Sequence, residues 1–548
     1  MSKFVVVVPL LLNLGLADMA SAATPPAASN AERYVRIRAA DASGDDVAAN
    51  GEMAALLTQD STDLGLVRRA YGQAMTGGDR ALALRAVRLL DARQALPPDG
   101  PLLFAVEAIR GRDWKAARLQ VDRLERGRLF SFLAPLLRAW IALGARDADP
   151  LVVLEPARTA GLASGYYPIE RALLLLSMGR TDESLAIATG QAGASPRLRL
   201  LVASALLRAG RKDEAQALLA GDGQPLAAAR ARLAQGRKLG VAVENAGDGV
   251  AELLAQVSVD FGRQQLLPVA LAMARMATYA SPQNSSAWLA VANLLGIAHR
   301  PVAALAALDR VPPDDPFAAT AETLRVSLLI DRGDKTAALQ SAIAAARRPE
   351  AGAIEWARVG DVQLALDRPA DAADAYGKAI AYGQAAPRDQ LWPLWLQRGS
   401  ALELAGDWRG AETALEKARA LAPDQPVVLN HLGYSKLVRR EDLPQARVLI
   451  EQASRLRPDD PAITDSLGWA HFVGGDLAGA LPLLEQAAAG DPGESTINEH
   501  LGDAYWAVGR RLEARYAWRA ALVTAEGKDG SRLQAKIADG YSQATASP

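Results

Sequence analysis

Residues 461–492 read PAITDSLGWAHFVGGDLAGALPLLEQAAAGDP. The stretch opens and closes on proline. Leu467-Gly468 stands in its first half, Ala480, Leu484 and Ala487 in its second, and Gly475-Asp476 between them. Glycine near the middle ends a helix by taking a left-handed backbone, and the closing proline cannot continue one. The pattern predicts helix A, a tight turn and helix B. The small residues Gly468 and Ala480 stand where the two helices cross, and their size permits close axial approach.

The neighbours repeat the arrangement. Residues 426–458 carry Leu432-Gly433, and residues 495–526 carry Leu501-Gly502, Tyr505, Gly509-Arg510, Ala514, Trp518 and Ala521. Residues 395–423 carry Trp395, Gly399, Gly406-Asp407, Ala411, Leu415, Ala418 and Pro423. Gly399 to Gly433 is 34 residues, Gly433 to Gly468 is 35 and Gly468 to Gly502 is 34. Agreement of residue types at fixed offsets in successive copies is a stronger signal than the period itself. Toward the N-terminus the register continues through Trp356, Gly360, Ala372, Tyr376 and Ala379, then through Gly333-Asp334, Trp288 and Phe261, and more faintly through Gly210, Gly179, Gly111, Gly78 and Gly44. The whole amounts to about 13 units, with a five-residue extension at Gln384–Asp389.

This pattern resembles the tetratricopeptide-repeat (TPR) superfamily across most of residues 30–526. The family asks for Leu-Gly at repeat positions 7 and 8, alanine at 20 and 27, a large residue at 4 and 24, and a closing proline. The implied fold is all-α, a right-handed α-α superhelix, the TPR solenoid, whose units share one continuous core because none can bury its apolar stripe alone. The resemblance further implies a concave groove lined by A helices at positions 2, 5, 9, 12 and 13. Those positions place Asn430, Asp465 and Glu499, then Tyr434, Trp469 and Asp503, then Leu437, Phe472 and Trp506 in the groove. Rings beside carboxylate and carboxamide groups suit a peptide segment; equally, Trp469, Phe472 and Trp506 can pack against neighbouring A helices. The strings at Asn430–Tyr434, Asp465–Trp469 and His500–Asp503 look like a group of bacterial envelope TPR proteins, one branch of which is a lipoprotein partner of a carboxyl-terminal processing protease. That likeness implies an adaptor. The chain lacks the branch's lipid-carrying cysteine.

Composition narrows the function from the other side. Lys plus Arg is 61 and Asp plus Glu is 62, which offers no basic field to nucleic acid. Cysteine is absent, excluding disulfides, thiolate metal sites and cysteine nucleophiles. The four histidines, His299, His431, His471 and His500, have no metal-ligand spacing, and His431 and His500 share repeat position 6 as repeat homology explains. No phosphate-binding loop or nucleophile elbow is present. No catalytic residue, cofactor or metal is therefore expected.

The N-terminus reads as an address. Lys3, an apolar run over Phe4–Leu16 and Ala20-Ser21-Ala22 form a signal peptide, residues 1–22, with cleavage after Ala22 and no transmembrane segment in the mature chain. Residues 23–30 read as a linker, 31–220 as degenerate repeats, 221–248 as an irregular or hinge segment, 249–526 as the main array, and 527–548 as a capping helix (over Ser531–Ala538) with a disordered tail. The Ala- and Arg-rich style resembles bacterial chains and makes the periplasm the expected destination. The expected function is a non-enzymatic protein-binding scaffold in the cell envelope, recruiting a periplasmic processing protease. An envelope assembly factor for outer-membrane or polysaccharide export, or a regulatory subunit of a separate enzyme, are the alternatives.

Overall fold

The computed structural model describes residues 29–59, 62–190, 195–221, 224–348, 351–383, 391–525 and 527–547. The expected signal peptide and the extension at 384–389 lie outside them. So does most of the expected linker, whose end is already structured: Ser29 caps the Asn30–Ala42 helix, accepting from the Glu32 amide at 3.2 Å while its own amide donates to the Glu32 carboxylate at 2.7 Å. Thirty α-helices and no strand are found among the described residues. They fall into two compact units. The first comprises the described residues up to Gly165 with Leu253–Pro282; the second comprises Tyr166–Glu252 with Gln283 onward.

Within the second unit the C-terminal repeats are antiparallel helix pairs: Trp392–Leu404 with Trp408–Leu421, Pro426–Val438 with Leu443–Leu456, Pro461–Val473 with Leu477–Gly490, and Ser495–Ala507 with Arg511–Leu522. Each B helix buries the same three positions. Ala411, Leu415 and Ala418 recur as Ala446, Ile450 and Ala453, as Ala480, Leu484 and Ala487, and as Ala514, Trp518 and Ala521, all fully buried. The glycine of helix A meets the middle one of each trio. A Cβ on Gly468 would lie 2.8 Å from Leu484, and one on Gly502 would lie 2.4 Å from Trp518. The large residue at position 24 thus seats on the glycine within its own hairpin and also packs against the next repeat, as Leu484 does on Leu501 and Ala504. The reason is volume: glycine leaves a notch that alanine at position 20 is too short to fill.

The turns obey the same economy. Asp407 and Asp476 cap helix B, accepting from the amides of Gly410 at 3.0 Å and Gly479 at 2.9 Å. The preceding Gly406, Gly475 and Gly509 have φ of 83°, 81° and 86°, while the equivalent turn of the 426–458 unit uses Arg440 at φ 56°.

The expected irregular or hinge segment at 221–248 is partly helical. A regular helix, Gln224–Ala234, occupies part of it and contacts the Ala318–Asp331 helix, and the Ala246–Arg263 helix begins before its end. The chain instead changes unit near residues 165, 252 and 282. The cause lies in distant packing: the Leu267–Ala280 helix docks on Leu64–Gly77 and Gly100–Arg110, and Arg275 donates to the Thr76 carbonyl at 2.8 Å.

Candidate partner-binding groove

Asn430, Tyr434, Asp465, Trp469, Phe472, Glu499, Asp503 and Trp506 all come from three successive A helices of the second unit. All but Asn430 fall into two linked clusters. In the first, the buried Trp469 ring stacks on Phe472 at 4.6 Å and on the fully enclosed His500 ring at 4.0 Å. Tyr434 closes on the same histidine at 6.2 Å. His500 Nδ1 lies 2.9 Å from the Asp465 carboxylate, whereas its Nε2 is enclosed without a hydrogen-bond partner. Burial, then the charges of Asp465 and Glu499, push the Tyr434 phenol up. Trp469 therefore packs within the column and Phe472 keeps a half-exposed edge.

In the second cluster the capping helix covers the expected groove positions of the last repeat. The capping helix is Gly527–Asp539, longer than the Ser531–Ala538 stretch read from sequence. It lays Lys536 and Arg532 on the predicted groove carboxylates. Lys536 Nζ donates to Glu499 at 2.7 Å and to both oxygens of Asp503 at 2.8 Å. Arg532 grips Glu499 with two further bonds at 2.8 and 2.7 Å. Asp503 also accepts from Trp518 Nε1 at 2.9 Å and from the Ser547 hydroxyl at 2.7 Å. The expected disordered tail is thus held at Ser547. Burial raises the Glu499 pKa, but Arg532 and Lys536 outweigh it and hold the carboxyl at about 2. Trp506 is half-buried beside Trp518, with the Arg511 guanidinium 3.9 Å from its ring centre.

The sequence explains His431 and His500 by repeat homology alone, and Lys536 stands out in the structure. His431 reaches back to Glu403 at 2.9 Å just as His500 reaches Asp465, and Ser435 and Arg439 join it at 2.9 and 2.6 Å. The signal was present: Leu533, Lys536 and Ile537 share one helical face, and a lysine inside an apolar stripe calls for a buried anion.

Upstream, repeat positions 2 and 13, which the family resemblance assigns to the groove, hold exposed apolar side chains. Ile354 is 53%, Leu404 67% and Val427 43% exposed. Asn430 Oδ1, next to Val427 on the same helix, is enclosed without a partner. Among the described residues no helix is long and apolar enough to cross a membrane, and no group of His, Asp and Glu is placed to hold a metal ion.

The tetratricopeptide-repeat family profile matches residues 392–435. No curated protein matches the chain. Solved structures similar to it include a tetratricopeptide-repeat protein from Parabacteroides merdae, at 13% identity over 53% of this chain and 97% of that one, TM-score 0.37. Others are a thermophilic TPR protein of Thermus thermophilus, at 20% identity over 34% and 98%, TM-score 0.30, and MamA of Desulfovibrio magneticus, at 19% over 31% and 93%, TM-score 0.27. At those identities and scores they speak for no partner and no activity. Residues 392–435 are a tetratricopeptide repeat in sequence as in structure, and the helix pairs that follow them share its packing.

Proposed function

We propose that the chain is a non-enzymatic scaffold of the bacterial periplasm that holds a partner protein in the A-helix groove between residues 353 and 438. One observation carries the reading: Ile354, Leu404 and Val427 present exposed apolar side chains at the positions that the repeat register assigns to the groove. Exposed apolar surface at such positions is what a bound segment covers. The likeness of the 429–522 strings to envelope adaptors supports a processing protease as the partner, with an export assembly factor as the second reading.

Two experiments test this. Alkaline phosphatase fused after residue 30 should be active when produced in a bacterium and inactive when residues 1–22 are deleted; activity independent of those residues removes the periplasmic placement. Affinity purification of the full chain, followed by mass spectrometry, should recover a protease that the Leu404→Glu/Val427→Glu variant loses. Recovery of export machinery instead selects the second reading, and equal recovery by both forms of the chain refutes the groove.

A further inference from the structure

The first compact unit contains an open cleft of about 500 Å³, remote in sequence from the groove. Leu129, Phe132, Pro135, Val153, Pro156 and Leu162 make its apolar walls. The aromatic wall is fixed from behind, because Phe132 and Phe130 both meet Phe261 edge-on with ring centres 6.5 Å apart. The lips are apolar but wet: Leu129 is 61% and Leu162 70% exposed. A contiguous exposed apolar surface of this kind marks a contact site more often than chance decoration.

Two guanidinium groups border the cleft, and they differ. Arg138 is committed to Glu125 at 2.5 Å and Asp122 at 2.8 Å. The Arg128 side chain has no ion-pair or hydrogen-bond partner among the described residues. Glu125, the carboxylate of the lining, is already paired with Arg138, so Arg128 is the charged side chain of the lining left without a partner among the described residues.

We propose that this cleft binds an extended segment of a partner protein that offers a bulky apolar side chain next to a carboxylate. The apolar side chain enters between Leu129 and Leu162 against Phe132, and the carboxylate pairs with Arg128 in the fork geometry that guanidinium favours. A basic segment is disfavoured, since it meets Arg128 and finds no free anion. The site stands independently of the groove and gives the chain a second point of attachment.

A phage-displayed library of random dodecapeptides panned on the full chain tests the idea. The enriched sequences should pair Leu, Ile, Phe or Trp with Asp or Glu within two positions. A labelled synthetic peptide of that consensus should bind about tenfold or more weakly to Leu129→Asp/Leu162→Asp and to Arg128→Glu. Arg128→Glu should instead favour the peptide with its acid changed to lysine, a reversal that lost folding cannot mimic. A consensus without an acid, or binding indifferent to all these changes, overturns the proposal. So does a concentration-dependent dimer that Leu162→Asp dissolves, which would make a second copy the occupant.

Discussion

Replacing Lys536 with methionine should detach the C-terminal helix from the last repeat. The ammonium is wholly enclosed, bonded to Glu499 at 2.7 Å and to Asp503 at 2.8 Å. Methionine keeps most of the stem's volume but leaves two buried carboxylates facing a thioether. Removing one partner of a buried ion pair costs about 3–5 kcal/mol. Arg532 still serves Glu499, and Trp518 and Ser547 still donate to Asp503, so the low end, about 3 kcal/mol, is expected. The apolar anchor of the helix is Leu533, fully buried and worth about 1.5–3 kcal/mol. The two terms are comparable, so the helix should open locally. The rest stays folded because repeats contact only their neighbours. Hydrogen exchange read by mass spectrometry decides it: protection across 527–547 should collapse while 392–435 stays unchanged. Undiminished protection of 527–547 in the variant would refute the ion-pair argument. Acidity offers a second readout. The Glu499 pKa is lowered from 4.5 to about 2, so its contribution is complete above pH 4.5 and is lost as pH falls toward 2. In Lys536→Met the acid-dependent loss should shrink.

Gly502→Ala should lower stability, because the new Cβ would sit 2.4 Å from a Trp518 ring that is fully buried and hydrogen-bonded to Asp503. Overpacking of about 1–3 kcal/mol exceeds the roughly 1 kcal/mol that alanine gains over glycine in a helix. Gly72→Ala, where nothing lies within 4 Å, isolates that propensity term and should raise the melting temperature in the same thermal scan. Arg440→Gly should stabilise by about 0.5–1 kcal/mol in urea melts, since relieving a left-handed non-glycine turn gains about 1–2 kcal/mol against about 0.4–1 for the freer unfolded chain; an unchanged or lower midpoint would contradict the strain.

The hairpins were legible because their determinants are local. A proline, a Gly-Asp turn and small residues at fixed offsets act within some thirty residues, and Ala480, Leu484 and Ala487 are buried where the register puts them. The return of residues 253–282 to the first unit was not legible. Arg275 reaches Thr76 across 199 positions, and no local periodicity encodes which distant faces meet. The groove residues fell between these cases. Their helix positions follow from the register, and all eight lie on neighbouring helices. Whether a groove position faces solvent or the chain's own cations depends on where a terminal helix folds back, and the one cue, Lys536 between Leu533 and Ile537, is a single residue.

The fold-back also bears on where a partner can dock. A ligand cation contending for Glu499 and Asp503 must first displace Lys536, which subtracts about 3 kcal/mol from its binding, a factor of more than a hundred in Kd. A segment lying against Ile354, Leu404 and Val427 displaces nothing from the protein except water over exposed apolar surface, and gains from its release. The same carboxylates that look most like a recognition site in the sequence are thus the least available in the folded chain. Deleting residues 527–547 should therefore create a new, salt-sensitive affinity for cationic peptides at the last repeat, leaving binding at 353–438 as it was. Should deletion instead abolish binding at 353–438, the terminal helix would be part of the docking surface and the two places would not act separately.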